Sequence, residues 1–170
     1  MYATERARPQ SVHVYDISTW RRLREIPIPC CSAEDNSIHT LQVTDDRILL
    51  CCYDKNKLHV LSHSGELLQT HGRSRSEATE DDIIGQTASG KQVYSPGVLH
   101  GPLLCQVDVE GSAIVADCYN DRLQVMRADG TWSIVDLRVE QDVGRIKGAL
   151  WCNGSLYVAR NRTIVRYSGL

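Results

Sequence analysis

An all-β fold of repeated four-stranded units is what this sequence predicts, and three observations predict it. A short pattern recurs along the chain: Lys57-Leu-His-Val-Leu-Ser-His-Ser-Gly65, Arg122-Leu-Gln-Val-Met-Arg-Ala-Asp-Gly130 and the shorter Thr163-Ile-Val-Arg-Tyr-Ser-Gly169, with Ser11-Val-His-Val-Tyr-Asp16 matching its opening. Each copy is a period-2 run, the spacing of a strand, and the closing glycines at Gly65 and Gly130 suit turns that need positive φ. Each copy also sits inside the same larger frame, with a second apolar run before it and a polar turn between the two. The frame repeats every 40 to 46 residues or so, about the size of one β-propeller blade.

Taken in order, the first unit (residues 1–28) offers strands at Ser11–Asp16 and Arg22–Ile26 and lacks its innermost strand. The second (30–72) is complete: Ile38–Thr44, Arg47–Tyr53, Lys57 onward and Glu66–Thr70. The third (98–137) is complete as well: Leu103–Val109, Ser112–Asp117, Arg122 onward and Thr131–Leu137. The fourth (145–170) has Lys147–Cys152, Ser155–Ala159 and Thr163 onward, and lacks its outermost strand. A blade is covered by neighbours on both faces, so its inner strands should be apolar on both sides. Ile48-Leu-Leu-Cys-Cys52 and Ala113-Ile-Val-Ala116 are such runs. A β-sandwich gives no reason for the long repeat. Rings usually need at least four full blades, so the single domain 1–170 is expected to be a partial propeller of about four blades, an open arc whose bare terminal faces invite self-association. Residues 73–97 break the period. They run from basic (Arg73, Arg75) to acidic (Glu77, Glu80, Asp81, Asp82) to Gly/Ser-rich, and read as a long, disordered loop insertion.

Composition narrows the setting. The chain has 170 residues, 42% hydrophobic and 24% charged, enough for one soluble domain with a real core. No apolar run nears the roughly 20 residues that span a bilayer, and no apolar stretch follows Arg6 and Arg8 as a secretory signal requires. The seven cysteines are odd in number and form no C-x-x-C, which points to free thiols in a reducing, cytoplasmic setting. The Cys30-Cys31 and Cys51-Cys52 pairs read as small buried hydrophobes. Phe is absent, so the core falls to Val, Ile, Leu, Ala, Cys and Tyr. Net charge is −2, yet residues 1–24 hold five Arg against two acids, residues 138–170 six Lys/Arg against two acids, and residues 25–137 eight against seventeen.

The best-preserved unit carries a family resemblance. Gly101-Pro-Leu-Leu-Cys-Gln-Val-Asp-Val-Glu-Gly111, then Ala113-Ile-Val-Ala-Asp117, Asn120-Asp-Arg122-Leu-Gln-Val125 and Asp129-Gly130 resemble the NHL repeat. That pattern has a Gly/Pro opening, a strand ending in Asp, a Gly turn, a V-A-D strand, an N-x-R-I-Q-V hairpin and a closing D-G. Residues 30–72 look like a divergent copy and 145–169 like a shortened one. The resemblance implies a binding scaffold of the kind found at the C-terminus of tripartite-motif proteins, behind RING and B-box zinc modules, where it binds protein or RNA. No such zinc module is read in these residues, so ligase chemistry is not expected of this chain itself. At most it would be the substrate-binding end. Some similar propellers are metal-dependent lyases or lactonases, which makes that activity the catalytic alternative.

The residues themselves favour binding over catalysis. Asp117, Asn120 and Arg122, with Gly65 and Gly130, read as turn builders of the blade: Asp and Asn favour tight turns, and Arg122 can pair with Asp117 across the hairpin. Six histidines are present, but His13 and His59 share one repeat position, which explains them without a metal. His59 and His63 lie about 13 Å apart at strand rise, too far to share an ion. The inner strands offer His39, Gln42, Gln106 and Asp108, a poor metal set. There is no G-x-S-x-G, H-E-x-x-H or phosphate loop, so no cofactor, no metal and no small-molecule substrate are expected. A protein partner is the first expectation, with Trp20, Tyr94 and Tyr119 as candidate anchors. RNA is the second, through Arg21, Arg22, Arg24, Arg145, Lys147, Arg160, Arg162 and Arg166, which would form one positive patch if the two basic ends approach each other.

Overall fold

In the computed structural model, residues 1–4, 11–28, 38–86, 90–137 and 145–168 are described. Four antiparallel sheets follow one another along the chain. The first has β1 (Tyr2–Thr4), β2 (Ser11–Tyr15) and β3 (Arg22–Pro27). The second has β4 (Ile38–Val43), β5 (Arg47–Cys52), β6 (Lys57–Ser62) and β7 (Leu67–His71). Between the second and third come β8 (Arg73–Ser74), β9 (Ile83–Gln86), β10 (Gln92–Tyr94) and β11 (Val98–Leu99). The third sheet has β12 (Pro102–Val107), β13 (Ala113–Asp117), β14 (Arg122–Met126) and β15 (Trp132–Val135). The fourth has β16 (Ile146–Cys152), β17 (Ser155–Arg160) and β18 (Thr163–Ser168). Gly169, the Cys30-Cys31 pair and the His39 side chain lie outside the described residues.

Side-chain alternation stacks these sheets. Along β5, Ile48, Leu50 and Cys52 pack on Val12, Ile26 and Ile28 of the first unit, while Leu49 and Cys51 pack on Leu104, Ala113 and Val115 of the third. The next residue pair repeats the arrangement: Ala113 and Val115 face the second sheet, and Ala116 faces Ile146, Leu156 and Val158 of the fourth. Successive residues of a strand point to opposite faces, so continuous apolar runs are what a doubly covered strand needs. Polar side chains also tie the sheets. Thr40 Oγ1 accepts a hydrogen bond from Leu104 N (2.8 Å). Gln106 Oε1 accepts one from Trp151 N (2.6 Å), and Gln106 Nε2 donates to Trp151 O (3.3 Å).

The outward face of the fourth sheet departs from this rule. Registers align Ala159↔Ile164 with Cys51↔Leu58 and Ala116↔Leu123. The four residues in the second and third sheets are 0% exposed, whereas Ile164 is 74% exposed. Nearby Leu150 is 51% exposed. A position built for coverage in two blades is thus bare in the last one. Ile164→Asp is expected to change folding stability by no more than about 0.5 kcal/mol, read from the urea midpoint of the monomeric chain.

Residues 73–86 and 90–97 differ from the disordered loop that their polarity suggests. They hold two 3-10 turns, Arg75–Glu77 and Glu80–Asp82, the β9–β10 hairpin and the parallel β8–β11 pair. The reason is internal pairing. Asp82, only 7% exposed, accepts hydrogen bonds from Arg73 (2.5 and 2.9 Å), Thr79 N (2.9 Å) and Ser95 Oγ (2.9 Å). The Arg73 bond first, then the Thr79 amide and the Ser95 hydroxyl, hold this carboxyl well below the usual range. Glu77 falls to about 2 through its bond to Lys57 and those to Ser74. Both folded values are depressed, so their contribution is complete above the ordinary carboxylate range and is lost as pH falls through the folded values. Amide exchange across residues 73–95 is therefore expected to stay slow at pH 5 and to lose its protection between about pH 4 and pH 2. Equal protection at both ends of that window would contradict the pairing.

Candidate functional site

The turns between the second and third strands of each unit gather the residues of interest. Asp117 ends β13 and lies directly opposite Arg122, the first residue of β14. Its Oδ2 accepts hydrogen bonds from Arg122 Nε (2.9 Å), Gln124 Nε2 (2.9 Å) and Asn120 Nδ2 (2.7 Å), and its Oδ1 accepts one from His100 N (2.7 Å). Arg122 donates onward to the carbonyls of Tyr94, Ser95 (3.2 Å) and Val98 (2.8 Å). Gln124 accepts from Gly97 N (2.8 Å) and donates to Val98 O (3.1 Å). The whole set clamps the connection 94–100 onto the third sheet. A buried ion pair is tolerable when its remaining polar atoms are satisfied in this way. The closing glycines serve the other end of each unit: Gly65 (φ 94°) and Gly130 (φ 84°) turn where a Cβ would meet Ile26 and His71 of the preceding sheet at 2.8 Å.

Above the clamp lies a cluster of rings and cations. Tyr119 stands next to Tyr53 (ring centroids 5.9 Å apart) and His100 (4.6 Å). The Arg145 guanidinium stacks over the Tyr119 ring at 4.3 Å, and Arg75 over the Tyr94 ring at 5.1 Å. Arg75 also donates to Asn120 Oδ1 (2.5 and 3.2 Å), and Lys91 Nζ to Tyr119 O (2.7 Å). Burial first, then the Arg75 charge, with Lys91 and Arg145 adding, push the His100 imidazole down against the opposing pull of Asp117. Several positive charges therefore converge on one spot. A separate cleft of about 540 Å³ opens beside it, lined by residues that include Asp54, Asn56, His59, Thr70 and Glu77.

Sequence-derived candidates divide into three groups. Tyr94, Tyr119 and Arg145 come together in this cluster. Arg160 is 5% exposed and sits 4.0 Å from Asp121, so it presents little of itself to a ligand. Lys147, Arg162 and Arg166 are exposed on the fourth unit, and Arg166 Nε donates to Ser155 Oγ (3.0 Å). Trp20 is 67% exposed at the β2–β3 turn, with Arg21, Arg22 and Arg24 beside it, and Arg22 pairs with Glu25 (3.6 Å). The hydrophobic clusters join the sheets in chain order, and none among the described residues joins the first, with its basic turn, to the fourth. Arg75, Lys91, His100 and Tyr53 were not among the candidate site residues of the sequence. Arg75 was named only as part of the basic start of the 73–97 segment, and the other three carried no signal. Cys51, Cys105, Cys118 and Cys152 are free thiols, and burial pushes Cys118 up to about 12 and Cys51 higher still. Cys51 and Cys118 stay protonated as packing groups. Among the described residues no group of three or more His, Cys, Asp or Glu is placed to hold a metal ion, and no helix is long and apolar enough to cross a membrane.

No family model matches the chain, and no curated protein matches it. Solved structures do. A streptogramin B lyase aligns with a TM-score of 0.53 at 19% identity, over 94% of this chain and 48% of its own. The WD40 β-propeller domain of Doa1 aligns with a TM-score of 0.59 at 12% identity, over 94% and 44%. Virginiamycin B lyase from Staphylococcus aureus aligns with a TM-score of 0.51 at 11% identity, over 98% and 54%. The chain thus spans about half the length of the solved structures it matches. At such identities the likeness speaks for the fold alone, and the fold is a β-propeller: about four antiparallel blades, the first and last three-stranded among the described residues.

Proposed function

We propose that this propeller is a non-catalytic scaffold that binds a protein partner on the face carrying Tyr119, as the substrate-binding part of a tripartite-motif-like, cytoplasmic protein. One observation carries the reading: three tyrosines and two stacked arginines come together beside the buried Asp117 clamp, which holds the turns of Tyr94 and Tyr119. Aromatic and arginine side chains on a fixed frame are the residues that dominate binding energy at interfaces. The test is selection of a random-peptide display library on the immobilised chain. Peptides should be enriched and should lose binding to Tyr119→Ala. An empty selection would sink the proposal.

A second reading is RNA binding through Lys147, Arg162 and Arg166, which lie exposed on the last blade with Arg145. It requires salt-dependent binding that weakens when Arg162 and Arg166 become alanine. The bare face around Ile164 gives a further surface for self-association, read as solution mass by light scattering: Ile164→Asp should convert any dimer to monomer.

A further inference from the structure

We infer that the Tyr119 face recognises an anionic side chain of its protein partner, a glutamate, aspartate or phosphorylated residue held between Arg75 and Arg145. The inference rests on the protein-binding reading above and adds the chemistry of what is bound. Arg22, Arg47, Lys57, Arg73, Arg122 and Arg160 each have a carboxylate within 4.0 Å. Among the described residues, Arg75 and Arg145 have none. Their partners are instead the faces of Tyr94 and Tyr119 and, for Arg75, the neutral amide oxygen of Asn120. Stacking fixes the plane of a guanidinium while leaving edge N–H groups to donate, which suits two-point bonding to a carboxylate or phosphate. Both arginines also raise the positive potential at His100, so their charges act on the same small volume. Arg75 is half-buried, where screening is weaker than in bulk water.

The same charges disfavour a long polyanion. Arg75 and its ring neighbours Tyr53, Tyr94 and Tyr119 stand in the part of the chain with eight basic residues against seventeen acids, and only Arg145 comes from the basic last part; exposed Asp54, Glu77 and Asp121 occupy the neighbouring turns. A single anionic side chain meets only the arginines. A nucleic-acid backbone would also run against those carboxylates.

Fluorescence anisotropy in low salt tests this with four labelled probes. These are a peptide alternating glutamate and glycine, its glutamine counterpart, its phosphoserine counterpart, and an oligouridylate of matched charge. The glutamate or phosphoserine peptide should bind at least about tenfold more tightly than the glutamine one, and the stronger of the two names the source of the anion. Arg75→Met with Arg145→Met should erase that preference, while Arg127→Met, which removes one arginine charge on the β14–β15 turn, should alter it less than about twofold. Urea midpoints of the variants check folding. Binding of the glutamine peptide equal to that of both anionic peptides, unchanged binding by the double variant, or binding of the oligouridylate alone would overturn the inference. Display-selected peptides that need Tyr119 yet ignore Arg75→Met and Arg145→Met would overturn it while leaving the protein-binding reading intact. An empty selection would strike that reading instead.

Discussion

Asp117→Ala is expected to lower folding stability by about 3–5 kcal/mol, measured by urea unfolding. The carboxylate is fully buried and accepts four hydrogen bonds, from Arg122, Gln124, Asn120 and the His100 amide. Its removal leaves the buried Arg122 guanidinium without its counter-charge, and the donors of Gln124 and Asn120 without their acceptor. An uncompensated buried charge is among the few causes of losses this large. Arg122→Met should cost less, because the Asp117 carboxylate that it leaves without a counter-charge keeps three hydrogen-bond donors. The two changes together should cost less than the sum of the single ones. Amide exchange locates the damage: residues 94–100 should lose protection in Asp117→Ala, since Arg122 and Gln124 hold the carbonyls of Tyr94, Ser95 and Val98. A loss below about 1 kcal/mol, or unchanged protection of that connection, would show that the clamp holds nothing.

The Asp117–Arg122 pair of this clamp was legible in the sequence because it is local; its hold on residues 94–100 was not. Asp117 and Arg122 face each other across one hairpin, and turn chemistry alone pairs them. The blades were legible for a similar reason: a strand covered on both faces must be apolar at every residue, as Ile48 to Cys52 are. The ring cluster was not. Arg75 reaches Asn120 across 45 residues, and Arg145 reaches Tyr119 from the next blade. Such pairs exist only once the sheets have stacked, and stacking geometry leaves no period in the chain. The 73–97 segment misled for another reason. Composition does not distinguish a solvated carboxylate from one that is spent on an internal bond, and Asp82 is of the second kind. Stacking order likewise sets the basic first and last blades at opposite ends of the sequence of sheets, and a count of charges along the chain carries no information on whether they meet.

Gly101→Ala connects the fold to the binding face. Gly101 sits at φ 64°, and a Cβ there would lie 2.5 Å from Tyr119 Cδ2 and 3.0 Å from Tyr53 Cε2. The backbone cannot yield freely, because the Gly101 amide donates to Asn56 Oδ1 (2.8 Å) of the preceding blade and its carbonyl accepts from Cys118 N (3.3 Å). The strain of a left-handed backbone and the forced shift of two rings together should cost about 2–4 kcal/mol. The expected sign is unusual for so small a change, since alanine at ordinary φ is more favourable than glycine. Displacement of the Tyr119 ring also removes the surface on which Arg145 stacks. Gly101→Ala should therefore weaken Tyr119-dependent peptides even at temperatures where the chain remains folded. Gly85→Ala supplies the contrast, because a Cβ there meets nothing within 4 Å and its φ is ordinary. It should raise stability slightly, by no more than about 1 kcal/mol, and leave binding unchanged. If Gly101→Ala destabilises the fold but binds such peptides with wild-type affinity, the ring position does not govern recognition. The contact would then depend on the charges around Tyr119 and not on the ring itself.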